Sequence, residues 1–200
     1  MEPSDKMCLA IVQPANKRAP IDNLHAGWIS NPDGAGYAFV HEGKVVIRKG
    51  YMKLKEFLAA YNTDVTAHAD SPFLIHFRIR SMGGKDEFNT HPFPIEGGAL
   101  IHNGTLTGTG AVYHSGDSDT RIFANKFGKH LSYDFVLAHR PDLDEALGAG
   151  NKIALLYDDG NYHILNEQQG KWDEGVWYSN HSYKGYFSTN ASALNYDDWE

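Results

Sequence analysis

The chain has 200 residues, enough for one domain with a full core, and carries a formal net charge of -7. That charge argues against a nucleic-acid backbone or an anionic membrane as partner, because both need a positive footprint. Its apolar runs are strand-sized, so no transmembrane helix is expected, and a single cysteine cannot form an internal disulfide.

The first seven residues, MEPSDKM, are polar and lack the apolar stretch of a secretory signal. With the lone thiol, this points to a reducing cytoplasm. CLAIV then reads as a strand opening at Cys8, followed by the proline-punctuated loop QPANKRAP and a segment ending in the turn NPDGAG. YAFVHEGKVVIRKGY predicts a β-hairpin turning at His41-Glu42-Gly43-Lys44. Leu54, Phe57, Leu58 and Tyr61 recur at helical spacing in KLKEFLAAYN, a short amphipathic helix.

SPFLIHFRIRS predicts one strand through to Ser81, and GALIHNG a buried strand running into a turn. Asp117 or Ser118 can cap a helix over 119–130, and a second helix is expected over 133–147. NKIALLYDD, NYHILN and GVWYSN return the chain to strands. Strands, then two helices, then strands imply an α+β fold of two sheets with helices packed outside.

Several residues along this path carry chemistry. Cys8 is either a small buried hydrophobe or a nucleophile. As nucleophile it could use its own α-amine as base, provided that everything before it is removed, since an amine with pKa around ~7.7–8.0 is partly neutral at pH 7. Arg78 and Arg80 alternate onto one strand face, either solvated or as a clamp for a carboxylate. Asn103-Gly104 could be an ordinary turn or a pair of donors aimed at an oxyanion. Asp119 can favour a helix dipole or bind an ammonium group. No CxxC, HExxH or phosphate-binding glycine loop is present, so no metal or organic cofactor is expected.

In chain order, Cys8, HFRIRSMGG, NTHPF, IHNGTL and SDT resemble the glutaminase domain of class II glutamine amidotransferases, a branch of the N-terminal-nucleophile hydrolases. NPDGAGYAFVHEGKVVIRKGY and GVWYSNHSY further resemble stand-alone bacterial and phage members, so the likeness runs from Met7 to about Tyr183. Arg80 stands where a small residue is usual, and Ser81 replaces a threonine. The resemblance implies a four-layer αββα sandwich of two mainly antiparallel sheets. It also implies a removable extension over 1–7 and a single domain over 8–200.

By the same resemblance, Cys8 attacks the side-chain amide of glutamine, and Asn103 and Gly104 hold the oxyanion. Arg78, Ser81, His102 and Asp119 surround the substrate, and His91 shapes the pocket wall. Either ammonia would pass to a separate synthase or ATP-dependent ligase, or the protein would be a free-standing amidase or glutaminase. The alternatives are a non-catalytic binding module on the same fold, or an amidase for another amide.

Overall fold

A computed structural model describes residues 7–184 of the chain. The strands are β1 (Leu9–Gln13), β2 (Ala35–His41), β3 (Lys44–Tyr51), β4 (Phe73–Phe77), β5 (Phe93–Ile95), β6 (Gly98–Asn103), β7 (Lys152–Tyr157), β8 (Tyr162–Leu165), β9 (Lys171–Asp173) and β10 (Val176–Tyr178). The helices are α1 (Ile21–Ser30), α2 (Leu54–Ala67), α3 (Asp119–Phe127), α4 (Tyr133–Ala138) and α5 (Arg140–Leu147). A six-stranded sheet runs β3-β2-β4-β1-β10-β9 and a four-stranded sheet β5-β6-β7-β8, with every strand pair antiparallel.

Three apolar layers account for the architecture. Ala10, Val12, Leu74, Ile101, Leu156 and Trp177 interdigitate between the two sheets. On the outer side of the larger sheet, Leu9, Ile11 and Phe77 pack against Leu24 and Trp28 of α1 and Phe57 and Tyr61 of α2. On the outer side of the smaller sheet, Leu100, Ile153 and Leu155 meet Ala124 of α3 and Val136 of α4. The order is therefore helix, sheet, sheet, helix. Strands buried on both faces read as continuous apolar runs, which is why FLIHF and KIALLY lack alternation.

The expected hairpin is present, and its turn residues Glu42 and Gly43 both have positive φ (50° and 71°), as a tight two-residue turn requires. Several boundaries differ from the sequence expectation. Strand β4 ends at Phe77, so Arg78 and Arg80 lie beyond the sheet and do not share a strand face. The cause is local: Arg78 and Arg80 bond to the 33–34 turn, with Arg78 N–H donating to Gly34 O at 2.8 Å and Arg80 N–H to Asp33 Oδ2 at 2.8 Å.

The helix expected over 133–147 breaks at His139, where Pro141 begins a new helix rather than continuing the old one. Ser118, not Asp117, caps α3 by accepting from Arg121 N–H at 3.2 Å. Helix α1 and the short strands β5 and β9 were not expected, and α2 continues past Tyr61 because Val65 extends its buried stripe.

Candidate active site

Topology brings distant residues together. Strand β1 is central and antiparallel to β4, with Leu9 opposite Phe77. The residue ahead of β1, Cys8, therefore meets the chain leaving β4. Its Sγ lies 3.4 Å from both the carbonyl oxygen and the amide nitrogen of Ile79. From the other sheet, Asn103 at the end of β6 donates its side-chain amide to the carbonyl oxygen of Cys8. Asn180, just beyond β10, donates to the same oxygen at 2.8 Å.

A small pocket opens beside Cys8, and Arg78, Ser81, His102, Gly104 and Asp119 line it. Of the residues singled out in the sequence, His91 lines this pocket too, Asn103 holds the backbone of Cys8, and Arg80 is not in the lining. Gly104 has φ of 136°, and a Cβ there would run into the backbone of Gly150 and Asn151. Only glycine fits that turn.

The charged residues are buried and tethered. Arg78 donates to Gly84 O at 2.7 Å and Met82 O at 2.8 Å, shaping the 79–84 loop around its own guanidinium. A guanidinium has five N–H donors, so capacity remains for a ligand. Asp119, in the first turn of α3, accepts from Leu106 N–H at 2.6 Å and Thr120 N–H at 2.8 Å. Its carboxylate also retains free lone pairs.

Asn89 ties the two lips of the pocket together. Its Oδ1 accepts from Ser118 N–H at 2.7 Å, and its Nδ2 donates to Gly116 O at 3.0 Å and Asp86 Oδ2 at 3.0 Å.

Behind the pocket lie three buried histidines. The rings of His76 and His91 stack 3.8 Å apart. His76 Nε2 lies 2.9 Å from His102 O, and His102 N–H donates to His91 Nδ1 at 3.2 Å. His102 itself spends both ring nitrogens on protein groups, Thr120 Oγ1 at 2.8 Å and Asn151 Oδ1 at 3.0 Å. The expectation placed His102 at the substrate; its ring lies in the pocket wall with both nitrogens engaged.

Burial pushes all three histidines below the ordinary range, His76 to about 3 and His91 well below it. The neighbouring cations Arg78 and Lys49 act in the same direction on His76 and His91. These rings are neutral.

Burial likewise pushes the Cys8 thiol up to about 11, only partly opposed by the Ile79 hydrogen bond and the nearby Arg78. Among the described residues the thiol's hydrogen-bond partners are backbone groups, and no side-chain base touches it.

The roles of four residues of this arrangement were not signalled by the sequence, although Thr120 lies in SDT, one of the motifs singled out. Asn180, Thr120 and Asn151 are common residue types at strand and helix ends, and their partners are 18 to 172 positions away. Asn89 lies in NTHPF, which the sequence did single out, but its pinning role depends on the 116–118 turn. Among the described residues no cluster of His, Cys, Asp or Glu is placed to hold a metal ion, and no helix is long and apolar enough to cross a membrane.

Two proteins of known sequence are similar to this chain. An uncharacterized protein of Methanocaldococcus jannaschii is 38% identical over 150 residues, covering 66% of this chain and 41% of that protein. A glutamine–fructose-6-phosphate aminotransferase (isomerizing) of Shewanella oneidensis is 31% identical over 103 residues, covering 46% of this chain and 17% of the enzyme. The chain thus spans less than half the length of either relative. No family profile matches it.

Proposed function

We propose that this chain is a glutamine amidotransferase-like amidohydrolase. The observation that carries the reading is the pocket shared by Cys8, Arg78, Gly104 and Asp119. A thiol nucleophile lies beside a guanidinium and a carboxylate, the two charges that complement the α-carboxylate and α-ammonium of a free amino acid. The distant relationship to an aminotransferase that carries glutamine in its name supports the same reading.

The chemistry proceeds in two steps. Cys8 Sγ attacks the side-chain amide carbon of glutamine while the α-amine of Cys8 takes the thiol proton. That amine is free only when the chain begins at Cys8. The tetrahedral oxyanion is held by Asn103 Nδ2 and Gly104 N–H. The carbon–nitrogen bond then breaks, the proton goes to the departing nitrogen, and ammonia leaves a γ-glutamyl thioester. Water adds to the thioester, releasing glutamate and restoring the thiol. Ammonia is then free in solution or taken by a separate synthase or ATP-dependent ligase.

A specific observation favours a second reading. With Met7 still attached, the amine is an amide and the thiol titrates near 11, so the chain in that form is a binding module on the same fold. Treating the protein with a diazoketone analogue of glutamine and mapping the adduct separates the two. Labelling of Cys8 together with ammonia release supports the enzyme. Glutamine binding with neither supports the module.

A further inference from the structure

Helix α5 buries none of its residues, although Leu143, Ala146 and Leu147 fall on one face and line a cavity over the four-stranded sheet. The cavity measures about 360 Å³, and its floor is formed by the buried side chains of Ile153, Leu155 and Leu165. Leu143 and Leu147 pack against that apolar cluster only in part, so the space beside them stays open, although interiors ordinarily pack with few voids larger than a water molecule.

Polar ties around α5 hold it where it is. Arg140 donates to Ile164 O at 2.7 Å and pairs with Glu167 at 3.0 Å. Asp144 accepts from Asn166 N–H at 2.7 Å, and Gly148 O accepts from Asn166 Nδ2 at 3.0 Å. The space is thus built into the framework of the helix.

The lining has a simple chemistry. It is mostly aliphatic and aromatic, with a few neutral polar groups and one charge, Lys126 of α3. No acidic residue joins the lining, and no carboxylate pairs with Lys126 among the described residues. Its ammonium donates to Thr109 O at 3.2 Å at the exposed rim, which leaves other N–H donors for a ligand.

A polypeptide would bring backbone amides that an aliphatic floor leaves unbonded. A phosphate dianion would bring a second charge with no partner. A hydrocarbon chain ending in one carboxylate brings neither. Dry apolar cavities of roughly 150 Å³ hold a benzene-sized guest, so this one suits a chain of roughly eight to twelve heavy atoms.

We propose that this cavity binds a medium-chain monocarboxylate, its hydrocarbon over Ile153, Leu155 and Leu165 and its carboxylate at Lys126. The site does not depend on the catalytic reading. It does border it: Leu106, in the cavity wall, donates its N–H to Asp119, and Asn151 accepts from His102.

Calorimetric titration of the full chain with octanoate, octan-1-ol and acetate tests the assignment. Octanoate should saturate one site, octanol should bind at least tenfold more weakly, and acetate should give no saturable heat. Lys126→Gln should reduce octanoate to the octanol level and leave octanol unchanged. Leu147→Trp, which fills the space, should abolish binding of both; Ala146→Phe, at an exposed position, serves if that variant does not fold. Absence of octanoate saturation, equal affinity for octanoate and octanol, or undiminished binding in a folded filled variant would overturn the proposal.

Discussion

The side-chain amide of Asn103 donates to the carbonyl oxygen of Cys8, tying the end of one sheet to the start of the central strand of the other. Asn180 donates to the same oxygen, so both of its lone pairs are engaged. This fixes the orientation of the Asn103 amide. Nδ2 faces Cys8, and Oδ1 is left buried with no hydrogen-bond partner among the described residues.

The two asparagines therefore make different predictions. Asn103→Ala removes a donor proposed to serve the oxyanion and should lower kcat by about 10²–10³ while KM changes little. Asn180→Ala removes only a tie to the Cys8 backbone and should cost less than tenfold. Steady-state glutaminase kinetics on folded variants compare them. Equal kcat losses would reduce Asn103 to a structural anchor.

The thiol environment predicts a dependence on processing. Held near 11 by burial, the thiol needs a base in contact, and among the described residues the candidate is an unblocked α-amine on Cys8 itself. Molecules beginning at Cys8 should hydrolyse glutamine, while molecules retaining Met7 should not. Intact-mass measurement of active and inactive fractions checks this. Cys8→Ala should be inactive in either form. Full activity in a chain that keeps residues 1–7 on every molecule would remove the α-amine mechanism.

Much of this arrangement was legible in the sequence, for physical reasons. Strands buried on both faces and tight turns have strong local signatures, so CLAIV, the 35–51 hairpin and GALIHN were readable. Helix α1 was not: Pro20 at its start offers no side-chain cap, and Gly27 and Ser30 weaken its helical pattern.

Cys8, Arg78, Gly104 and Asp119, which line one pocket, lie in motifs that the sequence presents in order. The environment of Arg78 was not legible there, because the 82–84 carbonyls it holds are placed by contacts to the 112–116 hairpin. Thr120 and Asn151 could not be assigned from spacing, since their roles arise only once three histidines stack behind the pocket.

The two charged pocket residues should affect binding more than turnover. Asp119→Asn keeps acceptor capacity for Leu106 N–H but loses the negative charge, so KM for glutamine should rise at least tenfold with little change in melting temperature. Asp119→Ala also strands buried N–H groups and should cost about 1–3 kcal/mol of stability. Arg78→Ala should raise KM and in addition lower kcat, because the loop bearing Met82 and Gly84 loses its anchor. Unaltered glutamine affinity in Asp119→Asn would mean that the substrate carries no ammonium at that place.

The buried histidines predict acid sensitivity. His76, His91 and His102 are neutral in the folded chain and at most 3% exposed. In the unfolded chain a histidine titrates near ~6.5. Below that value the unfolded state binds more protons than the folded one, so stability falls as pH falls. His76 keeps contributing until about pH 3, where its folded form also protonates. Each ring adds up to about 1.4 kcal/mol per pH unit, or about 4 kcal/mol for the three.

His25 and His163 shift in the same direction and steepen the slope. Asp33 and Asp158, whose carboxyls are lowered in the folded state, act only below about pH 4. Urea unfolding at pH 7, 6, 5 and 4 should therefore show a loss of stability that steepens below 6.5. His91→Gln keeps an acceptor for His102 N–H but cannot titrate, and it should make the slope between pH 6 and 5 shallower by up to about 1.4 kcal/mol per unit. A stability that stays flat from pH 6.5 to 5 would mean that these rings take up protons without unfolding.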